Sequence, residues 1–330
     1  MAIFSKSWTT PRVPLDRRSR NWLTIASFAI PLLLWSLVSY SPYVWHPQVE
    51  ITEPGDVRYF KVGTLVDSDI YEREIEKILT LQKDPEENQS QTIKLPEGIP
   101  SNPVYLPAPH EVATALYTAF TTPPKRSNEP WFHESLGHSI QIIAWGFFWA
   151  MLFGLPLGIM AGTYDSASRL IEPFTEFFRY LPAPAFGALA VAILGIYDAP
   201  KVAIIFIGTF FQMVLITANT TRKLNMAFIE ASLTLGCKGF SLIRRVILPG
   251  IMPDLFRDMR ILLGWAWTYL IVAELIGTSS GITWFITQQA RYKNFDNVFA
   301  AILIIGLIGI VTDMILAKLG KRLFPWKNGQ

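Results

Sequence analysis

Long apolar runs alternate with polar stretches along this chain, and the run lengths match a bilayer rather than a soluble core. Residues 22–40 carry no charge over 19 positions, enough helix at 1.5 Å per residue to cross about 30 Å of hydrocarbon. Further runs cover residues 140–161, 183–196, 202–218, 261–276 and 298–310, the last extending to Leu316. The run at 183–196 is the shortest and is read with 174–180 as its backward extension. The pattern predicts an all-α, polytopic membrane protein with six transmembrane helices. Arg12, Arg17, Arg18 and Arg20 precede the first run, as in a secretory signal. That run is longer than the 7–15 residues, roughly, of a signal core and lacks a small-x-small cleavage site. It is expected to be a retained helix, bent at Pro31.

Between the first and second runs the apolar character stops. Residues 41–102 contain twelve acidic and six basic residues, with Pro and Gly at both ends. Tyr71, Ile75, Ile78 and Leu79 recur there at helical spacing, after Asp69 and Glu72 as a helix start. The chain therefore divides into residues 1–40, a tail and first transmembrane helix; 41–105, a water-facing extracytoplasmic insertion; and 106–330, a membrane core. A short amphipathic stretch, residues 110–120, follows Leu106-Pro107-Ala108-Pro109.

Composition agrees and narrows the chemistry. Hydrophobic residues make up 51% of the chain and charged ones 17%, against about a quarter in soluble domains. Eleven Trp and 22 Phe suit bilayer interfaces. A net charge of +3 gives no footprint for nucleic acid. One cysteine, Cys237, allows no intrachain disulfide or thiolate cluster, and His46, His110, His133 and His138 show no metal-site spacing. Three basic clusters set orientation: Lys6 and the four N-terminal arginines; Arg222, Lys223, Lys238, Arg244, Arg245, Arg257 and Arg260; and Lys318, Lys321, Arg322 and Lys327. Six spans with both termini cytoplasmic place all three clusters inside and the acidic insertion outside.

The connection at 220–254, inside on this orientation, is unusual for a loop. Glu230-Ala231-Ser232-Leu233-Thr234-Leu235 favours helix, and Gly236 is a natural stop with positive φ. A second short helix is expected over 240–247, ended by Pro249. Two crossing amphipathic helices form a knob that another protein can grip; the alternative is a helix-turn lying on the membrane surface.

The same residues resemble the EAA loop of bacterial ABC importer permeases, Glu-Ala-Ala, three residues, Gly, nine residues, Ile-x-Leu-Pro. Glu230, Ala231, Gly236, Leu248 and Pro249 fall on that pattern, while Ser232 replaces an Ala and Val246 the Ile. Leu106-Pro107-Ala108-Pro109, Gly154-Leu155-Pro156-Leu157-Gly158, Arg179-Tyr180-Leu181-Pro182-Ala183-Pro184 and the run from Val272 to Gly281 resemble the nitrate/sulfonate/bicarbonate/taurine branch. The resemblance covers about residues 103–326, and not the insertion. It implies a type I ABC importer permease fold in the inner membrane and import of a small anion. It also implies partners: ABC ATPase subunits, a second permease copy forming a homodimer, and an extracytoplasmic binding protein. The chain has no Gly-x-x-x-x-Gly-Lys-Ser/Thr phosphate loop. It is therefore expected to bind no cofactor itself and to be no enzyme, with ATP and magnesium used by the partner ATPase. Ser232 and Leu235 complete the expected coupling element.

Polar groups within spans are costly and invite a functional reading. Gln212, Thr217, Asn219, Trp267, Ser279 and Ser280 are candidate pathway residues, with Gln141, Trp265, Thr268 and Glu274 nearby. Interhelical hydrogen bonding is the alternative for the neutral ones, and a structural role for Glu274. Gly154, Gly158 and Gly162 form a small-x-x-x-small stripe expected to pack helix on helix. Other classes fit less well. A standalone secondary transporter or channel needs coupling charges at mid-membrane, and the spans show almost none. A membrane-embedded enzyme needs a nucleophile or acid/base constellation, and none is present.

Overall fold

A computed structural model describes residues 15–83, 94–124, 129–276 and 280–327. These form two compact units, one reaching to Tyr117 and including Tyr292–Ala300, the other Thr118–Arg291 with the chain from Ala301.

In the first unit, α1 (Arg17–Tyr40) runs uninterrupted through Pro31. The insertion folds around a three-stranded antiparallel sheet in the order β2-β1-β3, with β1 at Gln48–Glu53, β2 at Leu65–Asp67 and β3 at Glu97–Ser101. The apolar helices follow the all-α reading, and the sheet is confined to the insertion. Its cause is the alternation in Gln48–Glu53, which turns Val49 and Ile51 to one buried face. The expected insertion helix is α2 (Ser68–Lys83). Ile78 on it packs with Ile51, Val57 and Phe60, flanked by Val66 and Tyr71. The Tyr71 hydroxyl donates to the Pro96 carbonyl at 2.8 Å. Burial, with the Glu97 carboxylate nearby, pushes the Tyr71 phenol above its ordinary range.

The segment after the sheet fastens α1. The Trp35 indole N–H donates to the Pro107 carbonyl at 3.1 Å, and the Asn102 amide to the Ser39 carbonyl at 2.8 Å. Helix α3 (Pro109–Thr121) begins with the Glu111 carboxylate accepting the Ala108 N–H at 2.7 Å. Its Val112 and Ala115 pack on Ala300, between Trp35, Leu116 and Phe299.

The second unit holds α4 (Phe132–Thr163), α5 (Asp165–Arg179), α6 (Gly187–Leu194), α7 (Asp198–Arg222), α8 (Met226–Thr234), α9 (Phe240–Leu242), α10 (Leu248–Ile276), α11 (Ile282–Arg291) and all but the start of α12 (Phe295–Leu323). Among the described residues, five helices are long and apolar enough to span. The sixth candidate departs from a continuous span: Asp165–Arg179 and Ala183–Leu194 meet at 86°. The second arm alone rises only about 18 Å. The break falls at Leu181-Pro182-Ala183-Pro184, where each proline disfavours helical backbone in the residue before it.

The glycine stripe packs α4 onto α7, as expected. A Cβ on Gly158 would stand 2.5 Å from the Thr217 Cβ and 2.6 Å from the Val214 carbonyl oxygen. One on Gly162 would meet Thr221 and the Ala218 carbonyl at 2.5 and 2.6 Å. Gly146 meets Ile205 likewise, so small residues extend the stripe up the helix.

Candidate functional site

The EAA-like segment forms a knob whose shape is set by backbone chemistry. Asn225 caps α8, its side chain accepting the Ala227 N–H at 3.0 Å. The helix ends in a Schellman closure: the Cys237 N–H bonds the Ser232 carbonyl and the Gly236 N–H bonds the Leu233 carbonyl, both at 2.9 Å. Gly236 sits at φ 83° and Gly239 at φ 57°. Gly236 has no atom within 4 Å of where a Cβ would stand. Its requirement is therefore conformational and not steric.

What the knob presents is apolar. Leu235 is 88% exposed and Phe240 76%, with Met226, Phe228 and Leu233 also exposed, and no residue of α8 is buried. Glu230, Ala231 and Pro249 are exposed; Ser232, Val246 and Leu248 are half-buried.

The second helix does not end at Pro249. After α9 the backbone passes through a π-helical turn, Ile243–Ile247, and continues directly as α10. In that turn the Leu248 N–H reaches five residues back to the Ile243 carbonyl. The wider turn absorbs the mismatch created by Pro249, which has no N–H to give. The knob and span α10 are thus one rod from Phe240 to Ile276.

Polar contacts fix the base of the knob. Arg222 pairs with Glu172 and donates to the Ser168 hydroxyl at 3.0 Å and the Ala161 carbonyl at 3.3 Å, tying α7 to α4 and α5. The Thr220 hydroxyl donates to Asp258 on α10, and Leu224 sits over Gly250.

The other end of α10 is charged, and Glu274 there takes the structural role weighed for it in the sequence, but buried inside the protein. Glu274 is 3% exposed. It accepts the Ser139 hydroxyl and, at 2.8 Å, the Thr283 N–H, while Ser139 accepts the Ile282 N–H at 2.8 Å. Glu274 and Ser139 together satisfy the orphan donors at the start of α11. Gly281, at φ 107°, leaves room for the carboxylate; a Cβ there would lie 2.2 Å from its Oε1. On α7, Lys201 is 1% exposed and donates to Asp198 at 3.0 Å and to Ser280, in the segment that follows α10, at 3.3 Å, while His138 pairs with Asp198 at 2.9 Å. The available signal was the Asp198/Lys201 spacing, which puts both on one face of α7.

The pathway candidates lie in separate environments. Gln212 is half-buried on α7, and Thr217 is buried against Gly158 as a packing residue. Asn219 is exposed and accepts from Arg222 at 3.4 Å. Trp267 lines a cleft between α10 and α12, and Ser280 accepts from Lys201. Ser279, Lys6 and Arg12 lie outside the described residues. Among the described residues no group of three His, Cys, Asp or Glu could hold a metal.

With this geometry in view, comparisons with known proteins are specific. Residues 154–325 match the family described as "Binding-protein-dependent transport system inner membrane component". The taurine transport system permease protein TauC of Escherichia coli (strain K12) is 29% identical over 225 residues, covering 68% of this chain and 81% of that one. The putative aliphatic sulfonates transport permease protein SsuC of Bacillus subtilis (strain 168) is 32% identical over 198 residues, 59% of this chain and 72% of that one. A chain of the inward-facing MetNI methionine ABC transporter matches in fold, with TM-score 0.51 at 17% identity over 60% of this chain and 97% of that chain. This chain belongs to the binding-protein-dependent transport system inner membrane components, the multi-pass permease subunits of ABC importers.

Proposed function

We propose that this permease imports a small anion of the taurine and aliphatic sulfonate class, and that residues 226–249 are the coupling element gripped by a separate ATPase subunit. The observation that carries the coupling role is the knob itself: apolar Leu235 and Phe240 held out on a glycine-shaped turn. Exposed apolar clusters of this kind mark protein interaction sites. Because Phe240–Ile276 is one rod, closure of a nucleotide-loaded ATPase pair on the knob would tilt α10 as a lever. The permease would then switch between two packed states. In this reading the ATPase binds ATP and magnesium, two permease copies form the pathway, and an extracytoplasmic protein delivers the anion. The three basic clusters support a cytoplasmic position for the knob and both termini. The relatives TauC and SsuC support the substrate class.

The test is the backbone at Gly236. The Cβ of Gly236→Val would meet no atom within 4 Å, but the variant must hold a β-branched residue at positive φ, at a cost of about 1–3 kcal/mol. It should leave the permease inserted at normal abundance while removing copurifying ATPase and uptake. Gly236→Asn, which tolerates the left-handed region, should restore both. Full transport and ATPase association in Gly236→Val would sink the coupling assignment.

A further inference from the structure

Helix α5 and the arm that carries α6 meet at 86°, and the residues at the break are open. Arg179 is the last residue of α5, and Arg179, Tyr180 and Pro182 are all exposed. The depth of the break follows from ring packing. Phe178 stacks on Phe211 of α7 at 5.2 Å, and Phe174 leans on the same ring at 6.5 Å. Phe211 stands near the middle of α7, about 20 Å from its Asp198 end and about 16 Å from its Arg222 end. Arg179 follows Phe178 and therefore sits close to mid-membrane, not at either interface.

The first charges of α5 are paired. Asp165 holds Arg169 at 2.8 Å, and Glu172 holds Arg222. Arg179 differs. Its guanidinium donates to the neighbouring Tyr180 hydroxyl at 2.9 Å and lies 4.7 Å from the centre of that ring. Among the described residues it pairs with no carboxylate, and Glu176, exposed one turn earlier on α5, is in no ion pair either. A cation at a helix C-terminus gains from the macrodipole, but that gain is small beside the cost of an unpaired guanidinium in hydrocarbon. Lipid cannot face the break itself. Pro182 and Pro184 have no N–H to give, and non-helical backbone at this depth is tolerated only when buried in protein or lining water. Exposed and charged at mid-depth, the break must line a water-filled space.

We infer that Arg179 is a binding residue of the translocation pathway, where its guanidinium receives the sulfonate of the passing substrate. The inference rests on the sulfonate-importer reading above. The planar fork of a guanidinium matches two oxygens of such a group. Phe174, Phe177 and Tyr180, all exposed on the same arm, surround it with rings and lower the local dielectric, so that a single cation attracts an anion strongly. Its present partner, the Tyr180 hydroxyl, is neutral, and an anion can displace it. One cation rather than several also lets the anion leave, which passage across a membrane requires.

The test uses the whole importer, permease with ATPase and binding protein, in proteoliposomes with radiolabelled taurine as the probe. Arg179→Gln should lower uptake about tenfold or more, the scale of one lost hydrogen-bonded contact to a charged group, with copurifying ATPase and melting temperature at wild-type values. Arg179→Lys should recover most of the uptake. Arg179→Cys should regain uptake when an aminoethyl methanethiosulfonate restores a cation, and not with the sulfonatoethyl reagent. The wild-type chain, whose one cysteine is Cys237, sets the background. Tyr180→Cys keeps Arg179 and decides the matter if the arginine variants do not accumulate. Relative to a free thiol, it should react several-fold faster with the sulfonatoethyl reagent than with the aminoethyl one, and saturating taurine should slow it. Full uptake in Arg179→Gln overturns the inference, as does a Tyr180→Cys that neither reagent reaches or that the cationic one labels faster. A loss in Glu176→Gln equal to that in Arg179→Gln overturns it too, because Arg179 would then be paired with a carboxylate across the two permease copies. A wild-type complex that carries neither taurine nor ethanesulfonate refutes the importer reading instead, and the labelling of Tyr180→Cys still reports whether Arg179 faces a space that anions enter.

Discussion

The two ends of α10 are built on opposite terms. At the Ile276 end, charge is buried and used up inside the chain: Glu274 is spent on the Thr283 N–H and the Ser139 hydroxyl. At the Leu248 end, apolar side chains stand in the open, and the Leu235 and Phe240 side chains are left exposed by a shape fixed through glycine backbone. Buried carboxylates without partners are costly, so the first end is rigid because it must be. Exposed apolar side chains cost the isolated chain little, so the second end is free to be completed by another protein. One helix thus joins a closed end to an open one. Substitutions at the closed end should act on folding, and substitutions at the open end on assembly.

The largest folding effect is expected at Glu274. Glu274→Ala strands the buried Thr283 N–H and the Ser139 hydroxyl, at about 3 kcal/mol or more. The purified permease should melt well below wild type. Glu274→Gln keeps one carbonyl acceptor and should lose roughly half as much. A melting temperature unchanged in both variants would show that the carboxylate does not cap α11, and the contrast between the ends would collapse.

Lys201 should give a middle effect. Its ammonium is buried, but its partner Asp198 has a side chain 52% exposed and keeps His138. Lys201→Met therefore leaves a carboxylate that water can still reach, and the cost falls to about 1–2 kcal/mol instead of the 3–5 or so of a fully buried broken pair. Thermal denaturation of Lys201→Met beside Glu274→Ala measures that ranking. A loss as large as that of Glu274→Ala would mean that Asp198 is sealed from water when Lys201 is present.

The sequence revealed these regions unequally. Hydropathy gave the long spans because a bilayer demands continuous apolar length. The Gly154, Gly158 and Gly162 stripe was readable because close helix approach leaves no alternative to small residues. Gly236 was readable because a helix stop at that spacing calls for a left-handed residue. The bend between Arg179 and Ala183 was harder, since hydropathy averages over a proline break that backbone sterics decide. Pro249 misled for a related reason: the π turn at Ile243–Ile247 let the helix pass a residue that normally ends one. The sheet was present as an alternation at Val49 and Ile51 but was masked by the acidic composition around it. Glu274 and Lys201 were invisible as buried groups, because their partners, Ser139 and Ser280, come from distant elements that only the fold brings together.

The smallest effect on folding, and the sharpest on function, is expected at the tip of the knob. Leu235 and Phe240 are exposed side chains with little to lose inside the chain. Leu235→Ser and Phe240→Ser should each shift the stability of the isolated permease by less than about 0.5 kcal/mol, the range of ordinary surface changes. The same side chains would be buried in an ATPase cleft, where full burial of a Leu or Phe contributes about 1.5–3 kcal/mol. In the proposed assembly of two permease copies, with two knobs, the loss would double. The double variant should therefore melt like wild type alone, lose most copurifying ATPase, and fail to support uptake. Lys238→Gln, exposed in the same turn but without apolar area to bury, should keep both ATPase and transport. If Leu235→Ser with Phe240→Ser kept its ATPase, the apolar tip would not be the gripped surface. If instead it unfolded the permease, the open end would prove to be held from within, and the two ends of α10 would follow one rule.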